Sequence, residues 1–95
     1  MCWERKTGLP LNNAIVWHDI RTKDLVDKIV KEKFNGDYDA IRNKCGLPIN
    51  TYFSAAKMKW MIENCEEIKT RVKNNDIENL CFGTIDSWII YVKKI

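Results

Sequence analysis

Apolar residues recur along this chain at two spacings, and the change between them marks where helices give way to extended segments. Leu25, Val26, Ile29 and Val30 fall three and four apart, with Lys23, Asp27, Lys28 and Lys31 on the other side. That is the pattern of an amphipathic surface helix. Thr22 suits its N-cap, and Asp24 its first turn, where a carboxylate complements the helix dipole. Phe34-Asn35-Gly36 ends it. A short second helix is predicted over Asp37 to Lys44, with Tyr38, Ile41 and Cys45 inward and Gly46 and Pro48 as the stop. Asn50 or Thr51 can cap a third helix in which Phe53, Ala56, Trp60 and Met61 share a face that Cys65 and Ile68 continue. Ile68 and Val72 fit a further helical turn after Glu66. Thr84 can cap a last helix that turns Ile85, Trp88, Ile89 and Val92 inward.

The extended segments are shorter. Lys6-Thr7-Gly8-Leu9-Pro10 carries turn signals, and Ala14-Ile15-Val16-Trp17 is apolar on consecutive residues. Together they predict a β-hairpin whose second strand is covered on both faces. Leu80-Cys81-Phe82 reads as another brief strand, between a turn at Asn74-Asn75-Asp76 and a bend at Gly83. Two strands alone are marginal in water, so sheet neighbours are expected. A hairpin followed by several helices, a short strand and a helix argues for an α/β layer rather than a bundle.

Composition changes this picture little. The 95 residues are 45% hydrophobic and 31% charged, ordinary for a globular protein, and a chain of this size is one small domain or part of one. The net charge of +3 comes from lysines interspersed with acids, which leaves no nucleic-acid footprint. No apolar run is long enough for a membrane span. Met1-Cys2-Trp3-Glu4-Arg5-Lys6 lacks the apolar stretch of a signal peptide. Cys2, Cys45, Cys65 and Cys81 are widely spaced, with no Cys-x-x-Cys. They could pair in three ways in a secreted protein, but the expectation is four free thiols in a reducing cytoplasm.

Candidate chemistry from residue type alone is modest. Trp17 closes the Ala14–Trp17 run as a core or rim residue, at the kind of strand end that feeds ligand crevices. Tyr52, beside a helix start, reads as a half-buried anchor. Lys57 and Trp60 are neighbours on the third helix, which allows either a phosphate-binding lysine or a lysine stem lying along the indole. His18 and Asp19 suggest a general base, but no nucleophile lies near them. Arg21 reads as a solvated ion-pair partner or an organiser of its loop. Asp86 is explained by the dipole of the last helix. Trp60 and Trp88 have core spacing.

One stretch is more specific. Tyr52-Phe53-Ser54-Ala55-Ala56-Lys57-Met58-Lys59-Trp60-Met61-Ile62-Glu63-Asn64 resembles the signature of the FGGY carbohydrate-kinase family. Leu11-Asn12-Asn13-Ala14-Ile15-Val16-Trp17 and Phe82-Gly83-Thr84-Ile85-Asp86-Ser87-Trp88-Ile89-Ile90 look like the branch of that family that phosphorylates glycerol, closer to eukaryotic than to bacterial forms. Small departures accompany the match: Asn12 stands where a tyrosine is usual, Ile20 where a more polar residue or leucine is common, and the Lys31–Tyr38 region is longer than in bacterial forms.

The resemblance implies that residues 1–95 are a central portion of the family's N-terminal domain, truncated at both ends, with a ribonuclease-H-like fold of the actin-like ATPase superfamily. It implies that Trp17 and Tyr52 bind glycerol, the indole against the carbon side and the phenol to a hydroxyl. It implies ATP and Mg²⁺ as cofactors of a longer parent and the rest of the kinase chain as a partner, with a homo-oligomeric parent left open. The family's Asp-x-Gly-Thr phosphate loop, its Gln-Arg-Glu glycerol-gripping segment and its catalytic aspartate are not among these residues, so the isolated chain is expected to be inactive. The alternatives are another polyol or sugar kinase of the family, and a non-catalytic, stand-alone interaction module.

Overall fold

Helical spacing carries through to the structure closely, and the strand-like runs only in part. The computed structural model describes residues 1–94. In chain order it contains β1 (Cys2–Glu4), α1 (Lys23–Lys33), α2 (Arg42–Cys45), α3 (Ser54–Asn64), α4 (Glu66–Lys73), a 3-10 turn at Ile77–Asn79, β2 (Leu80–Phe82) and α5 (Ile85–Lys94). The small sheet and its helices give an α/β fold. The chain divides into two compact units, one built from Met1–Ile15 and the segment from Met61 onward, the other from Val16–Trp60.

In the first unit β1 pairs with β2 antiparallel, placing Cys2 opposite Phe82, Trp3 opposite Cys81 and Glu4 opposite Leu80. This corrects the expected hairpin. The chain does fold back after β1: the Gly8 N–H donates to the Glu4 carbonyl at 2.8 Å and the Leu11 N–H to the Cys2 carbonyl at 3.0 Å. The returning arm, however, meets β1 in an isolated bridge at Pro10 opposite Trp3, and proline has no N–H with which to extend a ladder. The Ala14–Trp17 run forms no strand among the described residues. A ladder needs a free neighbour, and β1 and β2 satisfy each other.

Cys2, Trp3, Ile15, Met61, Ile68 and Leu80 are this unit's buried apolar residues. The Trp3 ring lies 5.6 Å from that of Tyr91. Gly83 is required beneath it, because a Cβ there would sit 2.9 Å from the indole Cη2. Trp88 Nε1 donates to the Gly8 carbonyl at 2.8 Å, tying α5 to the first turn. Arg71 on α4 holds Glu4 of β1 at 2.7 Å, and that contact keeps the Glu4 carboxyl below its usual range. The inward face expected for α5 is only partly covered. Trp88 is half-buried, whereas Ile85, Ile89, Ile90 and Val92 are exposed. A helix buries a stripe only against a facing layer, and here Trp88 and Tyr91 are side chains that reach the rest of the unit.

In the second unit α1 begins after Thr22, as the pattern predicts, with the Val26 N–H on the Thr22 carbonyl at 2.9 Å. The Thr22 hydroxyl itself makes no cap; it is buried without a hydrogen-bond partner among the described residues. Val26 and Val30 face inward. The helix stops where expected, at Asn35 and Gly36, whose φ angles of 52° and 80° leave the helical region. The second helix is a correction: α2 has four residues, and Tyr38 and Cys45 are exposed rather than inward. Asp37 takes the Asp39 N–H at 2.9 Å, a local turn that competes with the helix. Asn50 likewise takes the Tyr52 N–H at 3.0 Å, capping the turn before α3 rather than the helix itself. The helix expected to follow Glu66 is present as α4, set off from α3 by an extended Cys65.

Candidate functional site

Two segments of the second unit carry the aromatic residues of interest. One is the turn from Val16 to Asp19, closed by the Asp19 N–H on the Val16 carbonyl at 3.1 Å. The other is the Asn50 turn leading into α3. The first presents Trp17, which is 68% exposed, and the second presents Tyr52, which is 52% exposed. The two rings meet edge to face with centroids 6.2 Å apart, within the range where such pairs attract. Thus the structure brings together the two residues singled out in the sequence. Aromatic contacts extend the cluster on both sides, from Trp17 to His18 at 5.2 Å and from Tyr52 to Phe53 at 5.1 Å. Large, exposed, mutually braced aromatics suit a ligand with an apolar face and hydroxyl groups.

Behind these rings lies a residue whose place the helical spacing did not reveal. Lys57 is 9% exposed. Its Nζ donates to the Val16 carbonyl at 3.1 Å and lies 5.9 Å from the centroid of the Tyr52 ring, within cation–π reach. The sequence pairs Lys57 with Trp60 on one helix face, but the cation that the structure places over the Trp60 ring is the Arg21 guanidinium, at 5.2 Å. Arg21 also binds Asp19 at 2.6 Å, which gives the ion pair expected of it. The Arg21 side chain and then its backbone N–H hold the Asp19 carboxyl below the usual carboxylate range, with a smaller contribution from the charge of Lys57.

Other candidates have simpler settings. Asp86 lies in the first turn of α5, where the Thr84 hydroxyl and backbone N–H groups at the helix start lower its pKa. His18 packs on Trp17. Trp60 is half-buried. The four cysteines carry free thiols, Cys2 buried and Cys45 exposed. Among the described residues no three His, Cys, Asp or Glu side chains are grouped to hold a metal ion, and no helix is long and apolar enough to cross a membrane.

The model of the FGGY family of carbohydrate kinases, N-terminal domain, matches residues 1–92. A protein named "Probable glycerol kinase" from Caenorhabditis elegans is 45% identical over 89 residues, which are 94% of this chain and 17% of that one. A glycerol kinase from Arabidopsis thaliana is also 45% identical over 89 residues, 94% of this chain and 16% of its own length. The crystal structure of Plasmodium falciparum glycerol kinase with ADP superposes with a TM-score of 0.77 at 40% identity, covering 95% of this chain and 17% of that one. The chain therefore spans about a sixth of the length of the proteins it matches. With a family match over residues 1–92 and a fold shared at 40% identity, the chain belongs to the FGGY family of carbohydrate kinases.

Proposed function

We propose that this chain is a segment of a glycerol kinase, which moves the γ-phosphoryl group of ATP to glycerol and forms glycerol 3-phosphate and ADP. Its own part is one wall of the glycerol site. The observation that carries the proposal is the exposed Trp17–Tyr52 pair, seated in a chain 45% identical to glycerol kinases. The Trp17 indole offers a rigid apolar surface to the carbon side of the polyol, and the Tyr52 hydroxyl gives or accepts a hydrogen bond. Lys57 and the Asp19–Arg21 pair brace the backbone and side chains around that wall.

Mg²⁺ and ATP supply the charge neutralisation and the transferable group in such a reaction. The residues of this chain fit neither: it contains no Asp-x-Gly-Thr loop, and no acidic cluster is formed among the described residues. Those tasks are assigned to the rest of the kinase chain, which is the partner we infer for this segment. The four free thiols support a reducing, cytoplasmic setting.

The test is steady-state kinetics of the kinase chain carrying this segment. Trp17→Ala is expected to raise KM for glycerol about 10- to 100-fold, the loss of one aromatic wall. Tyr52→Phe should raise it about three- to tenfold, the loss of one hydrogen bond. KM for ATP should stay put in both. If glycerol KM is unmoved in the two variants, Trp17 and Tyr52 do not form the wall.

A further inference from the structure

We propose that Lys57 is a positioning residue that fixes the two halves of the aromatic wall against each other. The inference rests on reading Trp17 and Tyr52 as the glycerol wall and adds the element that sets their spacing. A lysine ammonium is strongly hydrated and is seldom buried without a partner, yet Lys57 is 9% exposed. What it meets there explains the burial. Its Nζ is bonded to the carbonyl of Val16, the residue immediately before Trp17, at 3.1 Å and across 41 positions of sequence. The same ammonium lies 5.9 Å from the centre of the Tyr52 ring. Both halves of the wall are therefore held from one point, the first through its backbone and the second through its ring.

The Val16 carbonyl is the hinge of this arrangement. It also receives the Asp19 N–H at 3.1 Å, so one oxygen closes the turn that projects Trp17 and anchors that turn to α3. Asp19 in turn is held by Arg21, whose guanidinium covers Trp60 one turn further along α3. The Val16–Arg21 loop thus meets α3 at Lys57 and at Trp60, three residues apart. Because the Lys57 ammonium is engaged with a backbone carbonyl and a ring, its role is to set the geometry of other groups and not to touch phosphate.

The kinase chain carrying this segment tests the proposal through Lys57→Met, which keeps the length of the stem and removes donor and charge. Glycerol KM is expected to rise about five- to twentyfold, with kcat and the KM for ATP within about twofold of the parent. Lys57→Arg, which keeps a charged donor, should recover at least half of that loss on a logarithmic scale. In a Trp17→Ala background Lys57→Met should raise glycerol KM less than it does in the parent, because only the Tyr52 half of the wall through which it acts remains. A fall in kcat or a rise in the KM for ATP would assign Lys57 to the phosphates and overturn the proposal. So would an unchanged glycerol KM in Lys57→Met beside a raised one in Trp17→Ala. No effect of Trp17→Ala on glycerol KM would instead sink the reading of the wall itself. Should Lys57→Met fail to fold in a thermal melt, Lys57→Gln takes its place with the same expectations.

Discussion

Cys2 and Cys45 carry the same functional group in opposite settings. Cys2 sits buried in β1, and Cys45 is exposed at the end of α2. Burial pushes the Cys2 thiol up to about 11 from 9.0, only partly offset by the positive chain terminus. At pH 8 iodoacetamide is therefore expected to label Cys45 well before Cys2, as peptide mass spectrometry would record, since the thiolate is the reacting form. The same shift has a thermodynamic sign. The folded thiol stays neutral where the unfolded one would ionise, so its contribution to stability is complete below pH 9 and is lost between about pH 9 and 11. Equal labelling rates for the two cysteines in the folded chain would contradict the burial of Cys2. Lys57 shows the limit of residue-scale reading from sequence. Spacing put it on a helix face, but the end of a four-carbon stem goes wherever a partner waits, and that partner, Val16, is 41 residues away. Trp17 and Tyr52 drew notice for a different reason, because each stands inside a distinctive motif, and the role we propose for them rests on that resemblance and on the contact between their rings.

At the scale of elements, legibility followed the source of each element's stability. α1, α3 and α4 satisfy their hydrogen bonds internally, so periodicity and end signals sufficed to place them. The Ala14–Trp17 run depended on a neighbouring strand that the described residues do not provide, and no local pattern reveals that. α2 failed as a longer helix because the Asp37 turn closed its start. α5 is the instructive case: of the face expected to turn inward, Ile85, Ile89 and Val92 remain exposed, as does Ile90 beside it. A ten-residue helix with four such side chains in water is a liability in isolation. The 95-residue chain by itself is expected to self-associate at micromolar concentration, and Ile89→Lys to shift it toward monomer in size-exclusion chromatography. The unsubstituted 95-residue chain running as a sharp monomer would show that this stripe is not sticky.

For the whole molecule, the share of the family's length decides what can be done. Phosphoryl transfer depends on simultaneous placement of nucleotide, metal ion and acceptor, and this chain corresponds to about a sixth of its relatives. Purified alone and given ATP, Mg²⁺ and glycerol, it is expected to release no ADP above background. Measurable turnover would mean that the wall proposed here is a more complete site than its residues suggest.

The pairing of β1 with β2 also sets an order of events. Val16–Trp60 is a continuous stretch, and its helices can form as soon as the ribosome has released it. The other unit cannot close at that point. The contact between Met1 and Gly83 bridges 82 positions, so the edge of β1 that β2 covers waits for this partner until nearly the whole segment has been synthesised, while its other edge meets the local return at Pro10. Long-range pairing of this kind is slow and leaves strands open to the wrong neighbour. During vectorial synthesis the edge of Cys2–Glu4 that β2 will cover is thus held open for a partner about 80 residues away, and that edge is where a nascent-chain chaperone would act within this segment.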